Sequence, residues 1–562
     1  MSTIPAIPEA DLLGRIPLAA RSVLHAGCGR GDLLLAYRRL NPTARLFGIE
    51  PDPEAGGVAL QRLDQVAIAD VGADPLPLDV SGGLDCIVYN GVLDATRDPW
   101  SLVRRHAEAL TPEGVLLIAV PNAEHWRITS RLLRGAGNDP LDAPADAVPP
   151  RFTVESFARG LLEAGLMPCD VHPLVGEQDE AQHFVDAIAP ALDALGVDRD
   201  AYLRRARPAQ YLWRVRRTAQ QRMMVAGNML APVGGVSHVR VVHPLQAIGT
   251  DPLVSVQVTD RIDTNPPKDA LPRIFVLHRP SLAGQQGRAL LNTLMDAGWL
   301  VVTEFDDHPD FFPGMKNEEQ LPFRGVHAIQ TSTKPLADVF RERNPEVAVF
   351  PNALVSLPDV RNFGDPRSVT LFFGALNREQ DWRPYIDGIN KVAARVGARL
   401  RFQVVHDQEF FAALTSPHKQ FTPICDYETY MRLLGGSEIS FMPLADNAFN
   451  RAKSDLKYIE AASCRVASLA STVVYADSIE DGRTGLLFRD PVEMQERLLR
   501  LVAVPGLARG LGDAARRYVR EHRMLAYQVA PRIAWYRSLW ARRHELTAAT
   551  RRRMDAVVKP AA

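Results

Sequence analysis

Short apolar runs alternate with amphipathic runs along most of the chain. Near the start, SVLHAG, ARLFGIE, LDCIVYN and GVLLIAVPN resemble strands, and DPWSLVRRHAEAL between them has the apolar spacing of a helix. A second alternation begins near Val236 with VSHVRVVHPL and continues through PRIFVLHRP and WLVVTEFDD. A third runs from SVTLFFGAL through RLRFQVVHD and EISFMPLAD. Strands that alternate with helices predict parallel, doubly wound sheets, so we expect an α/β protein with three Rossmann-like units in series.

These alternations suggest domain boundaries in the chain of 562 residues. We expect a first domain over 1–196 and an arginine-rich helical linker over 197–222, broken at Pro208. The second and third units are expected over 223–360 and 361–540. Residues 541–562 are expected to form a frayed basic tail.

Composition and charge exclude several classes of protein. The chain is 46% hydrophobic and 23% charged with a net charge of −1, which predicts no general attraction to nucleic acid or to anionic membranes. The five cysteines are scattered without a C-x-x-C pair, so neither a zinc site nor a disulfide framework is expected. The N-terminus lacks the pattern of a signal peptide, and no run approaches the ~20 apolar residues of a membrane span. We expect a cytoplasmic protein.

A glycine-rich turn in VLHAGCGRGDLLLAYRRLNPTARLFGIE predicts a nucleoside-binding site. Gly27, Gly29 and Gly31 follow a strand, and Glu50 ends the next strand, where a carboxylate can accept ribose hydroxyls. A dinucleotide-binding motif would have a third glycine at the position of Asp32. The pattern is therefore G-x-G-x-G rather than G-x-G-x-x-G.

This pattern resembles the first motif of class I S-adenosylmethionine-dependent methyltransferases, and the resemblance extends from about Arg21 to Val175. It implies S-adenosylmethionine as cofactor, Asp70 near the adenine, and Asn90, in the region of the fourth strand, as a further binding residue. Many relatives carry Glu-His where this chain has Asp94 and Ala95. A non-catalytic scaffold with the same fold is therefore the alternative. The near-zero charge and the lack of a D/N-P-P-Y/F motif argue against methylation of nucleic acid.

The stretch FNRAKSDLKYIEAASCRVASLA concentrates charge before an apolar segment. If it is helical, Lys453, Lys457 and Glu460 lie at i, i+4 and i+7 on one face. A solvated helix surface explains these charges most simply. A binding site for an anion explains them as well, and the neighbouring motifs favour that second explanation.

The second and third units together resemble a GT-B glycosyltransferase, whose two Rossmann-like halves face a cleft. The likeness covers about Met223 to Tyr536 and is to enzymes of bacterial surface-polysaccharide and flagellin glycosylation, some of which are fused to a methyltransferase. It implies a nucleotide sugar (UDP, GDP or dTDP) as donor and a glycan or a protein such as flagellin as acceptor. The earlier acid of the family's E-x7-E motif would fall at Ala452 and is missing. The donor-binding residues that this resemblance implies are Gly374, Asn377, Arg378, Lys453, Lys457 and Glu460.

Two carboxylates in EFDDHPD are candidates for a general base. Asp306 and Asp307 follow a predicted strand, where an acceptor hydroxyl is expected. His278 is the rival base, and a buried core histidine is the alternative explanation for it. No D-x-D motif accompanies these residues, so we expect no metal ion. The sequence predicts a bifunctional transferase that transfers a sugar and methylates a sugar or glycan.

Overall fold

A computed structural model describes residues 9–135, 152–175, 178–229, 234–265, 272–312, 315, 319–360 and 368–556. The chain divides into two compact units, one formed by Met1–Gln221 with Gly249–Leu253 and the other by Arg222–Ile248 with Val254–Ala562. Both units are built on parallel α/β sheets, which confirms the predicted fold class. Within the described residues, no helix is both long and apolar enough to cross a membrane.

A seven-stranded sheet forms the centre of the first unit, in the order β3-β2-β1-β4-β5-β7-β6. Its strands β1 to β5 run parallel to one another, and β7 is antiparallel to both of its neighbours. The strands are β1 (Ser22–Ala26), β2 (Arg45–Glu50), β3 (Gln65–Ile68), β4 (Leu84–Asn90), β5 (Leu110–Pro121), β6 (Met167–Val175) and β7 (Pro208–Arg216).

Nine described helices accompany this sheet. Several begin with a side chain that caps the first turn: Asp52 accepts from Glu54, Asp98 from Ser101, and Thr153 forms a capping box with Ser156. The helices are α1 (Glu9–Leu13), α2 (Asp32–Leu40), α3 (Pro53–Ala59), α4 (Val92–Ala95), α5 (Pro99–Glu108), α6 (Trp126–Leu133), α7 (Val154–Glu163), α8 (Gln178–Ala194) and α9 (Arg199–Ala206).

The predicted linker helix over 197–222 is wrong in its second half. Residues 208–216 form β7, an internal strand in which every position is buried. Its arginines suggested a solvated surface, but Arg214 Nε donates to Asp170 Oδ1 at 2.9 Å and Arg216 Nη1 donates to Glu113 Oε2 at 2.8 Å. Because these ion pairs neutralise the strand, the first unit extends past residue 196 to include it.

The first half of the second unit is a six-stranded parallel sheet, in the order β13-β12-β11-β10-β8-β9. Its strands are β8 (Met223–Met229), β9 (Val254–Thr259), β10 (Arg273–His278), β11 (Leu300–Glu304), β12 (Ala328–Thr331) and β13 (Val347–Val349). Its helices are α10 (Gly234–Ser237), a π-helix (His238–Val242), α11 (His243–Ile248), α12 (Gly284–Asp296), a 3-10 turn (Pro309–Phe311), α13 (Leu321–Arg324) and α14 (Lys334–Arg341). The run VSHVRVVHPL, with which we expected the second alternation to begin, is helical, and β8 precedes it.

A second six-stranded parallel sheet forms the other half, in the order β16-β15-β14-β17-β18-β19. Its strands are β14 (Val369–Gly374), β15 (Leu400–Val405), β16 (Lys419–Thr422), β17 (Ile439–Met442), β18 (Ala467–Ser471) and β19 (Leu486–Phe488). Two 3-10 turns (Arg383–Tyr385, Gly397–Arg399) flank α16. The α-helices are α15 (Glu379–Trp382), α16 (Ile386–Val396), α17 (Gln408–Ala413), α18 (Tyr427–Gly435), α19 (Ala448–Arg451), α20 (Leu456–Ser463), α21 (Thr472–Tyr475), α22 (Pro491–Ala503) and α23 (Leu507–His522).

The C-terminal residues differ from the predicted donor half and basic tail. Helices α24 (Ala526–Ala541) and α25 (Arg543–Ala556) return to the first half, where Tyr536 donates to Gln330 Oε1 of β12 at 2.8 Å. Thr550 of α25 donates to the carbonyl of Val326 at 3.2 Å. The buried spacing of Leu546, Thr550 and Met554 explains why this arginine-rich segment packs as a helix.

Candidate functional site

Four predicted cofactor-binding positions lie at one edge of the first sheet. Gly27 follows β1, Glu50 ends β2, Asp70 lies two residues after β3, and Asn90 ends β4. The chain passes outward from β1 to β2 and β3 and then returns to β4 on the other side of β1. Parallel sheets bind ligands at the carboxyl edge where strand order reverses. The fold therefore brings the predicted residues to the place where a ligand is expected.

The glycine-rich turn has a backbone that only glycine adopts easily. Gly27, Gly29 and Gly31 have φ values of 74°, 54° and 83°. The N–H of Gly29 donates to Glu50 Oε2 at 2.6 Å, and the N–H of Asp52 donates to Oε1 at 3.0 Å. Each carboxylate oxygen has two lone pairs, so Glu50 can still accept ribose hydroxyls.

The remaining side chains of this edge differ in exposure. Asp70 is exposed, with Oδ1 accepting from the N–H of Gly72 at 2.6 Å, and Asn90 is partly buried. Cys28, within the glycine-rich turn, is buried, and burial followed by the charge of Glu50 raises the pKa of its thiol to about 11. A thiol that stays protonated is a poor nucleophile, so Cys28 is not a candidate nucleophile.

The second unit contains a cavity of about 320 Å³ between its two halves. Among the predicted residues, the cavity brings together two carboxylates of the first half and three cations of the second. These are Asp306, Asp307, Arg378, Lys453 and Lys457. The carboxyl end of β11 lies just before Asp306 and Asp307, and the carboxyl end of β14 lies just before Arg378, so each half contributes to the cavity from the edge where parallel sheets bind ligands.

Lys453 and Arg279 form ion pairs with the two carboxylates of this cavity, and Arg279 Nη2 lies 3.6 Å from Asp307 Oδ2. Lys453 Nζ donates to both oxygens of Asp307, at 2.8 and 3.0 Å, and lies 4.0 Å from the centre of the Phe449 ring. Arg279 Nε donates to Asp306 Oδ1 at 2.8 Å. Lys453 lies in the loop before α20, so only Lys457 and Glu460 share a helical face, and the predicted three-residue face is wrong.

Arg378 is fixed by a hydrogen-bonded group inside the second half. Its Nη1 donates to Asp381 Oδ2 at 3.0 Å and to Asn450 Oδ1 at 2.9 Å. Asp381 Oδ1 also accepts from Asn450 Nδ2 and from the N–H of Ala445, both at 2.8 Å. The guanidinium therefore faces the cavity from a rigid position, as a group that binds an anion requires.

The start of α20 is open to an anion. Asp455 precedes the helix but makes no capping bond, because Arg523 Nη2 donates to its Oδ1 at 2.7 Å and Ser478 donates to its Oδ2 at 2.5 Å. Uncapped N–H groups and the helix dipole favour a negative charge at such a position. Lys457 lies in this first turn.

Lys457 and Glu460 are titratable groups within α20. Lys457 Nζ donates to the carbonyl of Gly374, and burial lowers the pKa of this ammonium. Glu460 is buried and accepts a hydrogen bond of 3.0 Å from the Tyr427 hydroxyl; burial raises the pKa of its carboxyl. Glu460 is thus placed one helical turn from Lys457, beside the cavity lining.

The other predicted positions lie outside the cavity lining. His278 is 3% exposed, and burial lowers its pKa to about 4, as expected for a core histidine. Asn377 is exposed with a φ of 54°. The cavity also includes Arg240 and Arg279, which we did not predict. Arg279 directly follows His278 in VLHRP, and its φ of 45° is unusual for a non-glycine residue and typical of functional sites.

The comparison with protein families identifies the first unit. Residues 8–168 match the family model described as "Methyltransferase domain". The chain therefore carries an N-terminal methyltransferase domain, which confirms the predicted resemblance. The second unit combines two Rossmann-like halves around a cleft, which is the arrangement of the GT-B fold. No group of three or more His, Cys, Asp or Glu side chains suited to a metal ion occurs in the part of the chain that the structure describes.

Among the known proteins, a trans-aconitate 2-methyltransferase of Methylobacterium nodulans is 33% identical over 153 residues. The match covers 27% of this chain and 58% of that protein, so the chain spans less than two thirds of the relative's length. Anabaena HepE, solved in complex with UDP and glucose, is 12% identical, covers 56% of this chain and 99% of its own, and gives a TM-score of 0.41. The plantazolicin methyltransferase BpumL with SAH is 16% identical, covers 37% of this chain and 84% of its own, and gives a TM-score of 0.25.

Proposed function

We propose that the chain is a bifunctional transferase. The second unit transfers a sugar from a nucleotide-sugar donor to a glycan or protein acceptor, and the first unit methylates a sugar or glycan with S-adenosylmethionine. The acceptor class that we favour is a bacterial surface polysaccharide or flagellin, modified in the cytoplasm. The observation that carries the proposal is the cavity between the two halves of the second unit, into which Arg378, Lys453 and Lys457 face.

The geometry supports a nucleotide-sugar donor in the second half. A donor carries a diphosphate and a ribose. The diphosphate requires cations, and the two ribose hydroxyls require a carboxylate that accepts a hydrogen bond from each. Arg378, Lys457 and the uncapped start of α20 are suited to the diphosphate. Glu460 is suited to the ribose hydroxyls. Lys453 joins the diphosphate only when the donor competes with Asp307 for its ammonium.

We assign the acceptor to the first half of the second unit. Asp306 and Asp307 line the cavity there, opposite the proposed diphosphate groups. Asp306 is paired with Arg279, and Asp307 is paired with both Lys453 and Arg279, so either becomes a general base only when a ligand draws these cations away. His278 is the weaker candidate, because its ring is almost completely buried.

The first unit is suited to S-adenosylmethionine. The turn Gly27–Gly31 lets a ligand approach the backbone, and Glu50 offers its remaining lone pairs to a ribose. The matched relatives are named for methylation of trans-aconitate, but the match covers 27% of this chain, so we keep a sugar or glycan as the proposed substrate. The alternative is a non-catalytic methyltransferase-like scaffold. It is motivated by Asp94 and Ala95, which stand where many relatives carry Glu-His.

Transfer assays with UDP-, GDP- and dTDP-sugars test the glycosyltransferase. We expect donor hydrolysis or transfer with one class of nucleotide, and we expect it to survive EDTA, since lysines and arginines neutralise the leaving diphosphate. The control is the same assay after Mn²⁺ is added back. Activity that EDTA abolishes and Mn²⁺ restores would contradict the metal-free assignment.

Calorimetry with S-adenosylmethionine separates the two proposals for the first unit. Binding followed by methyl transfer to a glycan supports the enzyme. Failure to bind millimolar ligand supports the scaffold. Mass spectrometry of surface glycan and flagellin from cells without the protein then identifies the acceptor, since the bifunctional proposal expects one sugar and one methyl group to be lost together.

A further inference from the structure

A tyrosine outside the cavity lining contacts the proposed ribose-binding carboxylate. Tyr427, the first residue of α18, donates its hydroxyl to Glu460 Oε1 at 3.0 Å. Glu460 is 4% exposed, whereas Tyr427 is 52% exposed. The hydrogen bond therefore joins a buried carboxylate to a side chain at the surface.

The position of Tyr427 is fixed from two directions. Asp426 caps α18 by accepting from the N–H of Thr429 at 2.7 Å, which sets the start of the helix. The ring of Tyr427 stacks on Tyr430 with centroids 6.5 Å apart, and Tyr430 stacks on His406 at 6.4 Å. The rings of Tyr427, Tyr430 and His406 thus form a column of three nearly parallel rings, and this ring column holds the Tyr427 hydroxyl next to Glu460.

The hydrogen bond leaves Glu460 ready for a diol. A carboxylate has about four lone-pair sites, and Tyr427 occupies one of those on Oε1. Lys457, the nearby cation, directs its ammonium at the carbonyl of Gly374 instead. Tyr427 is therefore a donor that restrains the orientation in which the carboxylate offers its remaining lone pairs to two adjacent hydroxyls.

We infer that Tyr427 is a positioning residue for nucleotide binding: it orients Glu460 toward the ribose hydroxyls of the donor. This inference rests on the proposed function of the second unit. It adds to that function a residue on a different helix, at a position that no motif in the sequence singled out.

The surroundings of Glu460 give the inference a pH signature. The groups that interact electrostatically with its carboxyl are Lys457 on α20, Cys464 directly after α20, Tyr427 and Tyr430 on α18, and Tyr475 on α21. Burial raises the carboxyl pKa, and the hydrogen bond from Tyr427 lowers it. The charged form accepts hydroxyls best, so nucleotide affinity should rise with pH through this pKa. Removing the hydroxyl should move the midpoint to higher pH.

Calorimetry with UDP, GDP and ADP, each beside its 2′-deoxy form, tests the inference. Tyr427→Phe should bind the preferred ribonucleotide about 10- to 100-fold more weakly, the effect of one hydrogen bond to a charged group. The wild-type protein and Tyr427→Phe should bind the 2′-deoxy form with nearly equal affinity. The loss of affinity should also vanish in a Glu460→Gln background, as expected for residues that act through each other. Tyr385→Phe, which removes a hydroxyl elsewhere in the same half, is the control and should bind normally.

A titration between about pH 5 and pH 9 supplies the second readout, and a thermal melt verifies that each variant folds. An upward shift of the midpoint in Tyr427→Phe supports the inference. An equal loss for ribo- and deoxyribonucleotides, or tight binding of dTDP alone, would overturn it. If the wild-type protein binds no nucleotide at all, the proposed function itself fails, and the inference fails with it.

Discussion

Single charged residues in the cleft of the second unit are paired across its two halves. Lys453 precedes α20 in the second half, and Asp307 follows β11 in the first. Asn352 Nδ2 donates to Ser454 Oγ at 2.8 Å close by. Each half thus fixes a side chain of the other, and a ligand that binds Lys453 must replace Asp307 as its partner.

Lys453→Ala should lower both stability and catalysis. The side chains of Lys453 and Asp307 are 22% and 10% exposed, so removing the lysine leaves a mostly buried carboxylate with weaker compensation. We expect a loss of about 1–2 kcal/mol in the free energy of unfolding, measured by urea denaturation. Adding Asp307→Asn should recover most of it. If Lys453 also stabilises the departing diphosphate, kcat should fall about 100-fold.

Arg451→Ala is the matched control for that experiment. Arg451 and Asp446 also form an ion pair, but their side chains are 65% and 59% exposed. Exposed pairs contribute little, so we expect no measurable change in the free energy of unfolding. A double variant of Lys453 and Asp307 that is less stable than either single variant would contradict the pairing.

Gly29→Val should abolish S-adenosylmethionine binding in calorimetry. No atom lies within 4 Å of the position that a Cβ would take, so the new side chain enters the space where we expect the ligand. The φ of 54° adds strain of about 1–2 kcal/mol.

Gly196→Val separates strain from obstruction. Gly196 has a φ of 68° and an equally open Cβ position, but it lies between α8 and α9, outside the glycine-rich turn. It should lose comparable thermal stability and keep normal binding. Normal binding by Gly29→Val would show that the ligand site lies elsewhere.

At the scale of elements, the end of β14 and the helices α18 and α20 meet at Gly374. Its carbonyl accepts from Lys457, and a Cβ here would lie 2.7 Å from a ring carbon of Tyr430 and 2.8 Å from a ring carbon of Phe372. The glycine therefore lets the ring column of α18 pack against the strand beside the proposed donor site.

Gly374→Ala should push these rings apart. We expect a loss of about 1–3 kcal/mol in the free energy of unfolding and a rise in the donor KM, because the displaced column carries Tyr427. Gly510→Ala within α23 is the control, since its Cβ would meet no atom within 4 Å and helices favour alanine. An unchanged donor KM in Gly374→Ala would contradict this prediction, because it would show that the ring column does not affect donor binding.

At the scale of the whole molecule, the last two described helices pack on the half with which the second unit began. Helices α24 and α25 follow the second half in sequence but contact β12 and the turn near Val326. Arg553 Nη2 donates to the same carbonyl at 2.7 Å, and Arg551 pairs with Asp296 at 2.6 Å. The second unit therefore depends on residues separated by more than 200 positions.

Truncation after Ala541 should destabilise the second unit alone. It removes the buried side chains of Leu546 and Met554, which we estimate at about 3–5 kcal/mol of unfolding free energy. Scanning calorimetry should show one transition at lower temperature, while S-adenosylmethionine binding by the first unit stays unchanged. A chain ending at Ala556 is the control and should melt as the full-length protein does. Equal melts for both truncations would mean that α25 is dispensable.

The sequence by itself determined the fold class and the identity of the first domain. Alternating apolar and amphipathic runs are a local property, because strands and helices with one buried face repeat at fixed periods. The turn Gly27–Gly31 and Glu50 lie within 24 residues of one another, so their spacing alone placed them at one edge of the sheet.

Only the tertiary structure decided which charges are buried and paired. The arginines of β7 looked solvated in the sequence, but their partners Asp170 and Glu113 lie 44 and 103 residues away and are joined to them by folding. In the same way, Lys453 meets Asp307 across 146 residues, and Tyr427 meets Glu460 from another helix. Long-range contacts of this kind leave no periodic trace along the chain, because each depends on how separate elements pack.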